Sequence, residues 1–183
     1  MSADQNGSAP DRELRIVIIG RSIRADWQNP RALTHRALVR ALIDRGHDVV
    51  FLEERRNDAV IGQMKAEGSA SVLAFDESHP DIRYRSYDPP LPRELGVWLG
   101  FESSTADLMI LLLDAPPALP DVYARLQAPH VVRLHEVDGE DGSRLVDTTT
   151  GAVVAQYHPL AAAGASSVAT AVEAAWRAAG IRM

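Results

Sequence analysis

At 183 residues the chain suits one domain of ordinary size with a real hydrophobic core. Its 25 Asp and Glu against 19 Lys and Arg give a net charge of −6, which argues against a phosphate-binding face of the nucleic-acid type. The absence of cysteine excludes disulfides, thiolate nucleophiles and Cys-based metal sites, and no apolar run approaches the ~20 residues of a membrane span. With no signal-peptide core at the N-terminus, a soluble, cytoplasmic protein without a membrane span is expected.

Residues 1–13 are polar, contain Gly, Ser and Pro, and read as a disordered tail ahead of one domain over 14–183. The stretch 14–54 organises the rest. Residues 15–19 form a short β-branched run ending at Gly20, and 48–52 form a second, which fits two buried parallel strands. Between them a helix is bounded by Asn29 as cap, Pro30 in the first turn and Gly46 just past the end. Its inward stripe is His35, Leu38, Val39, Leu42 and Ile43, so the whole reads as a right-handed βαβ unit.

Further along, 57–68 reads as a short helix and 71–75 as a third strand ending at Asp76. The Pro-rich segment 79–92 is either an extended edge or a surface loop. A helix over 91–104 is followed by the apolar run 108–113, a central strand ending at Asp114. A short helix over 120–127, a fifth strand over 131–137 and an acidic turn at 138–142 come next. Residues 145–147 and 152–157 fit a β-hairpin. The last element is an amphipathic helix carrying Val168, Ala171, Val172, Ala175, Trp176 and Ala179, capped by Ser166 or Ser167 and bearing a Glu173–Arg177 i, i+4 pair. This alternation predicts an α/β fold: a doubly wound, Rossmann-like, mostly parallel sheet in a single domain, with a C-terminal hairpin and terminal helix.

The loop 21–29 exceeds the roughly 2–6 residues that βα connections usually need. It leaves the carboxyl end of strand one and feeds a helix N-terminus, where open α/β sheets bind ligands and free amides favour anions. Gly20, Arg21, Ser22, Trp27, Asn29 and Arg31 are therefore candidate ligand-binding residues, and His35 is an inward candidate for a general base. Against this, Trp27 would simply pack the loop, Asn29 only cap and His35 be a satisfied core histidine. Glu53 and Asp114 end strands on the same edge, where a carboxylate can accept from a sugar hydroxyl or else cap a turn. A dinucleotide fingerprint, a P-loop and a Gly-x-Ser-x-Gly elbow are all missing, so no cofactor is expected. The six histidines lack metal-ligand spacing, and His135 and Glu136 would point to opposite faces of a strand, so no metal is expected either.

The segment IVIIGRSIRADWQNPRALTHRALVRALIDRGHDVVFLEE resembles the N-terminal segment of CgeB-like, spore-maturation-type glycosyltransferases, which are two-domain GT-B enzymes. The likeness lies in Gly20, Ser22, Trp27, Asn29, Ala32, Arg36, Arg45, Gly46, His47, Phe51, Leu52 and Glu53, with Pro30 and Arg31 standing where the family has Gly-His. The resemblance implies the acceptor-side, N-terminal GT-B half, with a sugar or glycosylated acceptor as ligand. In that family the C-terminal half holds most of the nucleotide-sugar donor, and the length here accounts for one half. The expected partner is therefore a donor-binding glycosyltransferase chain or a second copy in a homo-oligomer. Two other classes remain open: a non-catalytic binding or assembly module of the same fold, and a flavodoxin-like domain that binds a small ligand.

Overall fold

The computed structural model describes residues 12–88, 92–112, 114–115, 119–124, 127–128, 130–139, 142–157 and 164–179. The expected tail 1–13 therefore lies outside the described residues except for Arg12 and Glu13, as do parts of the segments 79–92 and 138–142.

Seven strands form one sheet: β1 (Arg15–Ile19), β2 (Asp48–Glu54), β3 (Tyr84–Tyr87), β4 (Leu108–Leu111), β5 (Val132–Gly139), β6 (Gly142–Asp147) and β7 (Val153–Tyr157). Their spatial order is β3-β2-β1-β4-β5-β6-β7. The five strands from β3 to β5 run parallel, and β6 and β7 continue antiparallel as the expected hairpin. The helices are α1 (Ala32–Ile43), α2 (Asp58–Glu67), α3 (Ser69–Ser78), α4 (Pro92–Ser103), α5 (Leu119–Ala124) and α6 (Ala165–Ala178).

Successive strand residues face opposite sides, so the apolar runs of β1, β2 and β4 divide into two cores. Ile16, Ile18, Val49, Phe51, Leu108 and Ile110 pack under α1 and α6 through Leu38, Leu42, Val168 and Val172. Val17, Ile19, Val50, Leu52, Met109 and Leu111 pack under α4 and α5 through Leu95, Leu99, Leu119 and Tyr123. The result is the expected doubly wound, Rossmann-like single domain. Tyr123 ties its helix to the sheet by donating its buried hydroxyl to the carbonyls of Met109 at 2.8 Å and Leu134 at 3.2 Å.

Three local expectations are corrected. Residues 71–75, read as a third strand, lie within α3, and Asp76 with them. The buried members are Val72 and Phe75, three apart as on a helix, while Leu73 is exposed. The third strand is instead β3, an edge strand within the segment read as extended edge or loop. Asn29 does not cap α1, which follows Arg31 without a side-chain cap, because the Asn29 amide is turned into the preceding loop. Ser166 and Ser167 do not cap α6, whose N-cap is Gly164. Gly46 does take the left-handed turn after α1, at φ +85°, and Glu173 pairs with Arg177 at 3.3 Å. Among the described residues no helix is long and apolar enough to cross a membrane.

Candidate functional site

Strands β2 and β4 flank β1, and the helices that follow β1 and β4 cover opposite faces of the sheet. The carboxyl ends of β1 and β4 are thus the topological switch point, where a crevice opens in sheets of this kind. An open cleft of about 560 Å³ lies there, walled by Arg21, Glu54, Arg56, Asn57, Asp58, Asp114 and Ala115. Asn57 caps α2, its Oδ1 accepting from the Val60 amide at 3.0 Å.

The long loop after β1 is fixed from below by Glu53. That carboxylate is fully buried and accepts from the Ser22 hydroxyl at 2.9 Å and the Ile23 amide at 3.0 Å, and it pairs with Arg24. Ser22 Oγ accepts in turn from the Ala25 amide at 3.1 Å, and the Asn29 amide donates to the Ser22 carbonyl at 3.2 Å. Arg36, half-buried on α1, donates to the carbonyls of Ile23 at 2.7 Å and Arg24 at 3.1 Å. The loop is therefore a rigid wall whose polar groups are largely spent on one another.

Trp27 seats the far end of the loop on α2. A Cβ at Gly62 would overlap its ring, so only glycine admits this contact. Gly62→Ala is expected to expel the indole and destabilise the domain by about 1–3 kcal/mol, as overpacking does. Urea unfolding, with Trp fluorescence reporting the released ring, measures both.

Arg21 leaves the loop on the cleft side and forms a two-pronged pair with Asp58, its Nε donating at 2.8 Å. This hydrogen bonding holds the exposed Asp58 carboxyl below its ordinary value of 3.8. A depressed carboxylate contributes stability above the unfolded pKa and loses it as pH falls through the folded one. The Arg21–Asp58 bond should therefore persist at neutral pH and fade only on the acid side of 3.8. A carboxyl ¹³C titration should find Asp58 depressed in the native protein and restored upward in Arg21→Ala.

Behind the cleft lies a second layer. Asp114, following β4, accepts the Arg21 amide on Oδ1 at 3.2 Å. Its Oδ2 faces His35 Nδ1 at 3.8 Å, and neither buried atom has a hydrogen-bond partner among the described residues. His35 is 2% exposed and turns Nε2 toward Glu136 Oε2 at 4.0 Å. Glu136, fully buried on β5, accepts from the Tyr157 hydroxyl at 2.7 Å and from Arg31 at 3.2 Å. Arg31 also reaches Ser143 at 3.4 Å and Asp138 at 3.3 Å. Burial, with Glu136 beside it, pushes the Tyr157 hydroxyl far above its ordinary range, so it acts as a donor. The void beside Thr34, His35 and Tyr157 is about 10 Å³, room for about one water.

The candidates from sequence are thus spread over several places. Arg21 and Asp114 wall the cleft. Gly20 lies beneath it, where a Cβ would come within 2.7 Å of Phe51 Cζ and 2.9 Å of Leu112 Cδ1. Ser22, Asn29 and Glu53 lock the loop from below, Trp27 lies on α2, and Arg31 turns toward Glu136. His35 does not reach the wall, and Asp114 stands between it and the cleft. Sequence reasoning missed Glu136 and Tyr157. The available signal was the inward alternation of Val132, Leu134 and Glu136, which places a carboxylate in a core row.

Among the described residues no group of three or more His, Asp or Glu side chains is placed to hold a metal ion. Neither a scan against protein-family models nor a search of the curated proteins gave a match.

Proposed function

We propose that this domain is a glycosyltransferase-like, acceptor-side domain that binds a hydroxyl-bearing ligand in the crevice between β1 and β4. Asp114 meets the ligand, and His35 is the buried partner behind it. The observation that carries the reading is the pair of unsatisfied buried atoms, Asp114 Oδ2 and His35 Nδ1, facing each other 3.8 Å apart at the switch point. Buried polar atoms without partners cost about 1–3 kcal/mol each, and such sites persist where a ligand or reaction completes them. A sugar hydroxyl in the cleft would donate to the 14% exposed Asp114 carboxylate, with His35 held against its buried Oδ2 from behind. As the hydroxyl oxygen attacked an anomeric carbon, its proton would pass to the carboxylate and the donor's leaving group would depart. The resemblance of residues 16–54 to the N-terminal GT-B segment supports the same reading, with the donor site contributed by a partner.

A second reading has an observation of its own. His35 is 2% exposed, and this favours a small-ligand-binding or assembly module that uses the crevice without turnover. Product formation separates the two.

Thermal shift with simple glycosides, nucleotide sugars and free nucleotides tests the proposal. A ligand at ~100 times its dissociation constant adds about 2.7 kcal/mol, or several degrees for a domain of this size. A glycoside should raise the Tm of the native chain and not that of Asp114→Asn, which keeps the acceptor for the Arg21 amide. A panel in which no glycoside or nucleotide sugar moves the Tm would overturn the reading.

A further inference from the structure

The two edges of the sheet differ in how they are protected. β3 carries Arg85 and is preceded by Arg83, both well exposed, and charged edge strands resist pairing with another chain. β7 reads Val-Val-Ala-Gln-Tyr, with no charge and no proline, and its Val153 is 54% exposed. As the terminal strand of the described sheet it presents a row of backbone donors and acceptors along its outer side.

Beside this edge, α6 carries an alanine stripe that borders the Val168, Ala169 and Val172 face that enters the core, Ala175 packing against that core as well. Ala171, Ala174, Ala175 and Ala178 recur at helical spacing and line an open groove of about 700 Å³. The groove continues onto Val153 and Val154 of β7. Side chains this small let another helix or strand approach closely.

We infer that β7, with the alanine face of α6 beside it, is the contact through which two copies of this chain associate. A strand edge is complementary to itself under a two-fold axis, because antiparallel pairing matches each donor to the same strand's acceptors. An axis at Ala155 sets Val153 of one copy opposite Tyr157 of the other and Val154 opposite Gln156. None of these β7 positions carries charge, so no like charges are opposed across the strand pair, and Asp147 is the one charged residue of the groove lining beside it. The groove lining and the rest of β7 amount to about 16 residues, below the ~20–30 a side of a standard interface. The dimer is accordingly concentration-dependent rather than permanent.

Sedimentation velocity across the micromolar range tests this on the purified chain, and its readout is independent of ligand binding at the crevice. The native chain should pass from monomer to dimer and stop there. Val153→Lys should weaken association by about tenfold or more, since each lysine replaces the apolar partner of Tyr157 across the strand pair with an uncompensated cation. Its Tm and circular dichroism should stay unchanged. Ala178→Arg, on the exposed helix face, should do the same by a different side chain. A native chain that stays monomeric throughout, assembly that runs past the dimer, or folded variants that dimerise as well as the native chain would each overturn the inference.

Discussion

Replacing Glu53 with alanine is expected to destabilise the domain by about 3–5 kcal/mol, the range for breaking a buried ion pair by removing one partner. The carboxylate is fully buried and is the common acceptor for the Ser22 hydroxyl, the Ile23 amide and the Arg24 guanidinium. Its removal leaves a backbone donor, a hydroxyl and a largely buried cation without their acceptor, on the loop that walls the cleft. Glu53→Gln keeps one oxygen acceptor but loses the charge, so its cost should be smaller. Urea unfolding of both variants measures the effect, and a loss below about 1 kcal/mol for the alanine variant would contradict the role assigned here.

Glu173→Ala should be the next most damaging change, at about 2–3 kcal/mol. Glu173 is a buried residue of α6 that accepts from His47 at 3.1 Å, Arg45 at 3.2 Å and Arg177 at 3.3 Å. His47 Nδ1 accepts from the Leu14 amide at 3.3 Å, which leaves Nε2 as the donor toward Glu173. Arg45 adds bonds to Ser166 and Thr170 on the same helix, at 2.8 to 3.0 Å. This cluster ties α6 to the amino ends of β1 and β2, and alanine would leave a buried imidazole N–H without an acceptor. Glu173→Gln preserves that acceptor and should retain most of the stability. Equal loss in both variants would show that the charge, rather than the hydrogen bond to His47, holds the helix.

The opening βαβ unit was readable because its signals agree: β-branched strands, a helical stripe through His35 and Leu42, and glycine at the left-handed turn. The hairpin of β6 and β7 and the terminal helix were readable for the same reason. The run Ser71 to Phe75 was not, since five mostly apolar residues satisfy strand and helix patterns alike, and only burial of Val72 and Phe75 decides. Asn29 looked like a cap because its type suits one, yet its amide reaches back to Ser22.

The crevice itself was foreseeable from loop length and strand ends. What stands beside what was not, because strand order is invisible in the sequence. Placing β4 next to β1, and β5 next to β4, sets Asp114 over His35 and brings Glu136 and Tyr157 behind it. Glu136 was weighed only as a metal partner for His135. The pairing of β5 with β6, and of β6 with β7, gives it the company of Ser143 and Tyr157.

Amide chemical-shift mapping during a glycoside titration tests the central claim most directly. The account predicts perturbations confined to Arg21, Asn57, Asp58, Asp114 and Ala115, with a smaller response at His35, and their loss in Asp114→Asn. Perturbations that gather instead on α6 and β7, or that survive unchanged in Asp114→Asn, would contradict it.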